Sequence, residues 1–393
     1  MRNEKEKIII SALLHDIGKF IYRSIDTQFQ KIMRHQELGK EWAKKEDLPD
    51  EVITAIATHH RLKKDDKKYF ELSVDSYKGD VATSNLIKLI DFSDNISSGM
   101  ERDKFNDDIS NFKINAGLKP IFLDISLNED SISGGSSEPK EGLVWEAKNI
   151  QSRPYPIEVQ KEICKYESFY KMQWKCFLQE FNRIKSNLNE EILLMLLQKY
   201  TMQIPEYTRV ISEQMPVTSL YHHLKSTAAI AWCSYKYITE EKSRGGTNWF
   251  SEDVGKLIYN EKEERFLLIA GDLSGIQNFI YTITSKEALK TVRGRSFYLE
   301  LLMETAAQKI IEKLDLCYSC IIYNSGGSFY ILAPNTKNVI KELEKQRIDI
   351  NNYLYKKFGL TLYLVLSYKP LSASDLKKED GNLRYAWGQL KEE

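Results

Sequence analysis

His15 and Asp16 sit side by side at the end of an apolar run, Ile8 to Leu14, and an adjacent imidazole and carboxylate are what a predicted helix needs to offer two metal ligands at once. His35, His59 and His60 follow, so four of the six histidines fall in the first sixty residues, and Asp94 comes later. Mixed nitrogen and oxygen donors of this kind suit Mn, Fe, Ni, Co or Zn better than a purely oxygen site would. Two ions a few ångströms apart could share a bridging carboxylate and clamp the attacking and leaving oxygens of a phosphodiester. The expected metal ligands are therefore His15, Asp16, His35, His59, His60 and Asp94. His15, Asp16 and Lys19 are the expected catalytic groups. Lys19 follows His15 by four residues, a spacing that predicts one shared helix face and a cation able to hold a scissile phosphate. Taken singly, each of these residues has an ordinary structural alternative: a solvated lysine or a satisfied core histidine.

A second constellation lies far downstream in Gly271-Asp-Leu-Ser-Gly-Ile-Gln277. Ser274 and Gln277 have the S-x-x-Q spacing of a capping box. The same glycine-flanked turn could receive a phosphate on free amides. Asp272, Ser274, Gly275 and Gln277 are thus candidate nucleotide-binding residues beside the capping alternative. Cys317 and Cys320 have CxxC spacing without a second pair to complete a zinc site, and are read as buried strand cysteines.

These residues need elements to hold them. Residues 1–105 read as helical, with apolar positions at helical spacing through Ile8–Leu14, Val52–Ala57 and Leu86–Ile90, and with Pro49 and Asp50 marking a helix start. Residues 106–215 read as a partly helical linker or insertion whose clearest loop is Asn128 to Pro139. Helical pattern resumes over Val159–Tyr200 and Ser219–Thr239. In 216–393, strands over Arg265–Ala270, Tyr318–Tyr323, Ser328–Ala333 and Leu360–Ser367 alternate with helices over Gly294–Leu314 and Asn338–Lys357. That is the βαββαβ order of a ferredoxin-like sheet. The predicted class is α+β: an all-α helical domain, a helical linker and a ferredoxin-like domain.

Lys plus Arg and Asp plus Glu balance at 56 each, so no whole-chain basic field exists to hold nucleic acid unaided. Five cysteines in 393 residues give no disulfide framework. The run Ile8–Leu14 is too short to span a bilayer. A cytoplasmic protein with no membrane partner is expected.

The order HD, H, HH, D, with His15-Asp-Ile-Gly-Lys19 itself, resembles the two-metal form of the HD phosphohydrolase superfamily. The histidine that the superfamily usually carries ahead of the HD pair has no counterpart upstream of His15. That departure is similar to the permuted HD domain opening the large subunit of type III CRISPR effector complexes, of the Csm/Cmr type. Asp94-Asn-Ile-Ser-Ser-Gly-Met-Glu-Arg102 resembles a segment of the same domain. Gly271 to Tyr281, Arg293-Gly-Arg-Ser-Phe297 and the Gly326-Gly327 hairpin resemble the first Palm of that subunit. Ser219 to Ala231 resembles the stretch before it, with His222 where an Asp is common.

The resemblance implies an antiviral RNA-guided complex with an HD nuclease that cuts single-stranded DNA using a divalent metal, Mn, Ni, Co or Mg. It also implies ATP binding at the Palm, and cyclic oligoadenylate synthesis only with a second Palm carrying a GGDD hairpin, on this or another polypeptide. Here Ser328 and Phe329 follow the glycines, and the chain reaches Glu393 without that second Palm. Implied partners are the other complex subunits, especially the one capping the guide RNA 5′ end, with CRISPR RNA and target RNA through the complex. A free-standing nucleotide phosphohydrolase and a non-catalytic structural subunit are the alternatives.

Overall fold

The computed structural model describes residues 3–25, 33–62, 69–101, 111–112, 117–124, 143–148, 150–158, 163–207, 209–210, 216–242, 247–282, 288–377 and 382–392. The loop expected over Asn128–Pro139 lies outside the described residues. The chain divides into two compact units. One comprises Ile10–Tyr77 and Lys104–Lys225; the other comprises Met1–Ile9, Lys78–Asp103 and Ser226–Glu393. Among the described residues, no helix is long and apolar enough to cross a membrane.

The first unit is mainly helical. It holds the end of α1 (Glu4–Leu14), then α2 (Ile17–Ser24), α3 (His35–Lys45) and α4 (Asp50–Thr58). Pro49 stands at the N-cap of α4, where a missing N–H costs nothing. α2 and α3 cross where glycines allow backbone contact: a Cβ on Gly18 would lie 1.8 Å from the His35 carbonyl oxygen. In this unit α6 (Ile163–Ile184) and α7 (Glu190–Thr201) close an aromatic core in which Phe20 and Trp42 meet Trp174, Phe177 and Phe181. The continuous helix expected over Val159–Tyr200 is broken at a 3-10 turn, Lys185–Asn187, and restarted by Asn189, whose side chain accepts from Ile192 N–H.

The second unit contains α5 (Val81–Glu101), most of α8 (Leu220–Tyr237) and a four-stranded antiparallel sheet. Its strands are β1 (Phe266–Ser274), β2 (Ile321–Ser325), β3 (Ser328–Pro334) and β4 (Tyr363–Leu371), in spatial order β2-β3-β1-β4. The crossover helices are α10 (Ala288–Lys313) and α11 (Lys337–Phe358), with the short α9 (Ile276–Tyr281) ahead of them. This is the expected βαββαβ topology. β1 is central and apolar through Ala270 because both its neighbours are strands and its side chains are covered on both faces. Gly326 and Gly327 make the two-residue β2–β3 turn with φ of 65° and 88°, a conformation that suits glycine at both positions.

Three local expectations change. His15 and Asp16 are not within one helix: α1 ends at Leu14 and α2 starts at Ile17, so the pair forms the turn between two helices. Ser274 and Gln277 make no capping box. β1 runs on through Ser274, and Gly275 is the N-cap of α9 at φ 91°, with the Thr361 carbonyl 1.9 Å from where a Cβ would stand. Cys317 and Cys320 are buried as expected but bracket a 3-10 turn before β2, with their sulfurs 3.3 Å apart and Cys233 Sγ 3.8 Å from Cys320.

Candidate metal centre

The turn at His15–Asp16 explains why these residues can converge with distant ones. Asp16 is the N-cap of α2, where its carboxylate would ordinarily accept from an amide of the first turn. It makes no such bond and is turned inward, fully buried. His35 opens α3 and His59 is the C-cap of α4, so each imidazole hangs from a helix end, where the backbone is free to direct it. His60 follows in an isolated bridge to Ser73.

The two carboxylate oxygens of Asp16 face different pairs. Oδ1 lies 3.3 Å from His35 Nε2 and 3.5 Å from His59 Nε2. Oδ2 lies 3.4 Å from His15 Nε2, 3.5 Å from His223 Nε2 and 2.5 Å from Lys19 Nζ. His35 and His60 approach through their Nε2 atoms at 3.1 Å. The ligand atoms of Asp16, His35, His59 and His60 all lie within 4.8 Å of one another. The individual contacts of 3.1, 3.3 and 3.5 Å come close to those of a coordination polyhedron, in which neighbouring donors at about 2.0–2.1 Å from one ion stand roughly 3–3.4 Å apart.

The tautomers are set from behind. His15 Nδ1 is 2.7 Å from the Ala12 carbonyl and His59 Nδ1 is 2.8 Å from the Ile56 carbonyl, so each ring donates there and keeps the lone pair on Nε2. His59 Nε2 and Asp16 Oδ1 are buried and accept no hydrogen bond in the protein. Buried polar atoms are rarely left so without a role. Burial alone would raise the Asp16 carboxyl, but the Lys19 ammonium and the imidazoles of His15 and His223 reverse this and hold it well below the usual carboxylate range. The donor set and the orphaned atoms fit a divalent metal.

Of the residues expected from sequence, His15, Asp16, His35, His59, His60 and Lys19 meet in this one unit. Asp94 belongs to the other unit, buried on α5 with Ser98 Oγ 3.4 Å from its carboxylate. The residue that sequence reading missed is His223, fully buried near the start of α8. Its neighbour His222 instead meets the Ser219 hydroxyl at 2.9 Å, and burial beside Lys225 lowers its pKa. The signal for His223 was its position on the buried stripe Leu220, Leu224, Thr227 and Ala231.

In the second unit, Asp272, Ser274 and Gln277 are exposed where β1 ends. Asp272 pairs across the ladder with Ser328 and Val365. Gly271 faces Phe329, whose ring fills the space that a Cβ would take.

Residues 1–99 match the HD domain family and residues 265–393 match the Csm1 subunit domain B family. A single-strand-specific deoxyribonuclease Cas10/Csm1 of subtype III-A from Methanocaldococcus jannaschii is 31% identical over 425 residues, covering 99% of this chain and 48% of the relative. The crystal structure of a Csm1-Csm4 cassette in complex with cA4 aligns with a TM-score of 0.68 and 25% identity over 99% of this chain and 47% of that one. The cassette in complex with one ATP aligns with a TM-score of 0.69, again at 25% identity, over 99% of this chain and 47% of that one. The chain therefore spans about half the length of the relatives it matches. With a match to the HD domain over its first quarter and to Csm1 subunit domain B over its last third, in the order of a relative named Cas10/Csm1, the chain carries the HD and B domains of the Csm1 family.

Proposed function

We propose that this chain is a metal-dependent nuclease that cuts single-stranded DNA at the HD site, within a cytoplasmic type III CRISPR effector. The observation that carries the reading is the division of Asp16: one buried carboxylate with two imidazoles on each oxygen. His35, His59, His60 and Asp16 Oδ1 would hold one divalent ion, with His15, His223 and Asp16 Oδ2 at a second. Asp94 is proposed as a further ligand. Manganese, nickel, cobalt or magnesium is the proposed ion. When bound, such ions make a nucleophile of water at neutral pH and offset phosphodiester charge. Asp16 fixes the spacing of the two positions, His15 and His59 present Nε2 in a locked tautomer, and Lys19 offers its ammonium to a non-bridging phosphate oxygen.

The proposed divisions are an HD segment over 1–105, a linker over 106–215 and a Palm over 216–393. At the Palm, we assign ATP to Asp272, Ser274, Gly275 and Gln277. The exposed end of β1 and the ATP-bound relative support that assignment. Proposed partners are a Csm4-like subunit capping the guide RNA 5′ end, with CRISPR RNA and target RNA through the complex. The test is cleavage of labelled single-stranded DNA with and without Mn²⁺ by the wild type and by the His15→Ala, Asp16→Ala double variant. Metal-dependent cleavage lost in the variant is expected. Equal cleavage by both would remove the assignment, and preferential hydrolysis of mononucleotides would favour a free-standing phosphohydrolase.

A further inference from the structure

Glu206 lies outside every motif of this chain, 190 residues from Asp16, yet it is 2% exposed and in direct contact with the metal-site lysine. Its Oε1 accepts from Lys19 Nζ at 2.7 Å, while the same ammonium stands 2.5 Å from Asp16 Oδ2. One cation is thus held between two buried carboxylates. Taking a carboxylate out of water costs several kcal/mol unless it is well paired, so a buried glutamate here calls for a reason beyond packing.

The backbone around this contact is tied in two directions. Arg23, one turn along α2 from Lys19, is buried; its Nη1 lies 3.3 Å from the Lys19 carbonyl and its Nη2 3.5 Å from the Glu206 carbonyl. On the other side Glu206 N–H donates to the Thr218 carbonyl at 3.0 Å and Leu220 N–H to the Ile204 carbonyl at 2.7 Å, around a Pro205–Ser219 bridge. The strand of chain that carries Glu206 is therefore fastened to the start of α8, three residues before His223. The glutamate shares a fixed frame with the proposed ligand His223 while its side chain holds a cation beside Asp16.

The cation creates a conflict that Glu206 can resolve. A divalent ion that takes Asp16 Oδ2 would face an ammonium only 2.5 Å from the same oxygen, and the two cations repel. Without a second anion, a metal entering there would either be kept out by Lys19 or would drive the ammonium from the site. With Glu206 in place, the ammonium can yield Oδ2 and stay on the Glu206 carboxylate.

We propose that Glu206 is a positioning residue that retains the Lys19 ammonium at the metal centre when a divalent ion takes Asp16, so that metal and phosphate-binding cation coexist. This inference rests on the metal-nuclease reading of the same site. It acts through Lys19 and needs no contact with substrate.

The experiment is a Mn²⁺ titration by calorimetry on the full chain and on three variants, Glu206→Gln, Lys19→Ala and the double variant, with single-stranded DNA cleavage measured in parallel. In Glu206→Gln, Lys19 keeps Asp16 as its carboxylate partner and competes with the ion. Mn²⁺ affinity should fall by about tenfold or more, the range seen when a group behind a metal ligand is lost. Removing Lys19 as well should restore Mn²⁺ affinity to near the wild-type value while cleavage stays low. A glutamate that merely supports the fold predicts no such rescue, since the double variant lacks both groups.

Wild-type Mn²⁺ affinity in Glu206→Gln, or a loss that Lys19→Ala does not recover, would overturn the proposal and leave the metal site standing. A wild-type chain that neither binds Mn²⁺ nor cleaves would instead overturn the nuclease reading, and this inference with it.

Discussion

At the scale of single residues, adjacent histidines do different work in α8. His223 Nε2 stands 3.5 Å from Asp16 Oδ2, whereas His222 is spent on the Ser219 hydroxyl. His223→Ala should weaken Mn²⁺ binding by about tenfold or more, and His222→Ala should leave it within experimental error. Equal losses in the two variants, measured by the same titration, would mean that the loss comes from the helix and not from ligation. Asp16 gives a pH signature as well. Its folded pKa is depressed below the unfolded value of about 3.9. As pH falls, the unfolded chain takes up the proton first, so the stability that Asp16 contributes is full above about pH 4 and is lost on further acidification. Without added metal, Asp16→Asn should flatten the dependence of the urea midpoint on pH below about 4. A wild-type slope in that variant would contradict the assignment.

His15, Asp16, His35, His59 and His60 were legible as a set because five donor residues crowd into a short length of chain in an order that resembles the HD superfamily. His223 was not, because a lone imidazole on an apolar stripe has the same pattern as a core residue until the fold brings it 5.3 Å, ring to ring, from His15. Glu206 was less legible still, since a glutamate beside Pro205 in an irregular stretch reads as a solvated loop residue.

At the scale of elements, sheet order followed from the sequence because β1 is a nearly unbroken apolar run and the Gly326–Gly327 turn dictates a tight hairpin. The boundaries followed less well. β1 continues past Ala270 to Ser274 because Gly271 leaves room for the Phe329 ring and the ladder to β4 runs the full length, a contact that no local pattern encodes. The glycine of His15-Asp-Ile-Gly-Lys19 has an equally specific duty at the crossing of α2 and α3. A methyl group on Gly18 would meet the His35 carbonyl, which must then move, and His35 is the first residue of α3. Gly18→Ala should cost about 1–3 kcal/mol by overpacking, read as a lower urea midpoint. It should also weaken Mn²⁺ binding, since His35 would leave Asp16 Oδ1. Unchanged stability together with unchanged Mn²⁺ affinity would show that the helices separate without disturbing the site.

At the scale of the whole molecule, the two kinds of chemistry have unequal equipment. The HD site gathers its imidazoles and the Asp16 carboxylate from one compact unit. The sheet of the other unit carries the turn proposed above for ATP, but its glycine hairpin is followed by Ser328 and by Phe329, which is fully buried against Gly271. Phosphodiester synthesis on two metals needs carboxylates to hold them, and the one acidic side chain opposite this hairpin in the ladder is Asp272. Incubated with ATP and Mg²⁺ or Mn²⁺, the purified chain should therefore bind nucleotide and yield no oligoadenylate. Product should appear when a polypeptide bearing a Palm with a GGDD hairpin is added, and it should be lost again if that hairpin's two aspartates are replaced by alanine. Oligoadenylate from this chain alone would mean that Asp272 recruits catalytic metals without a second acidic hairpin. Product in the mixture that survives loss of those aspartates would place synthesis on this Palm instead of its partner.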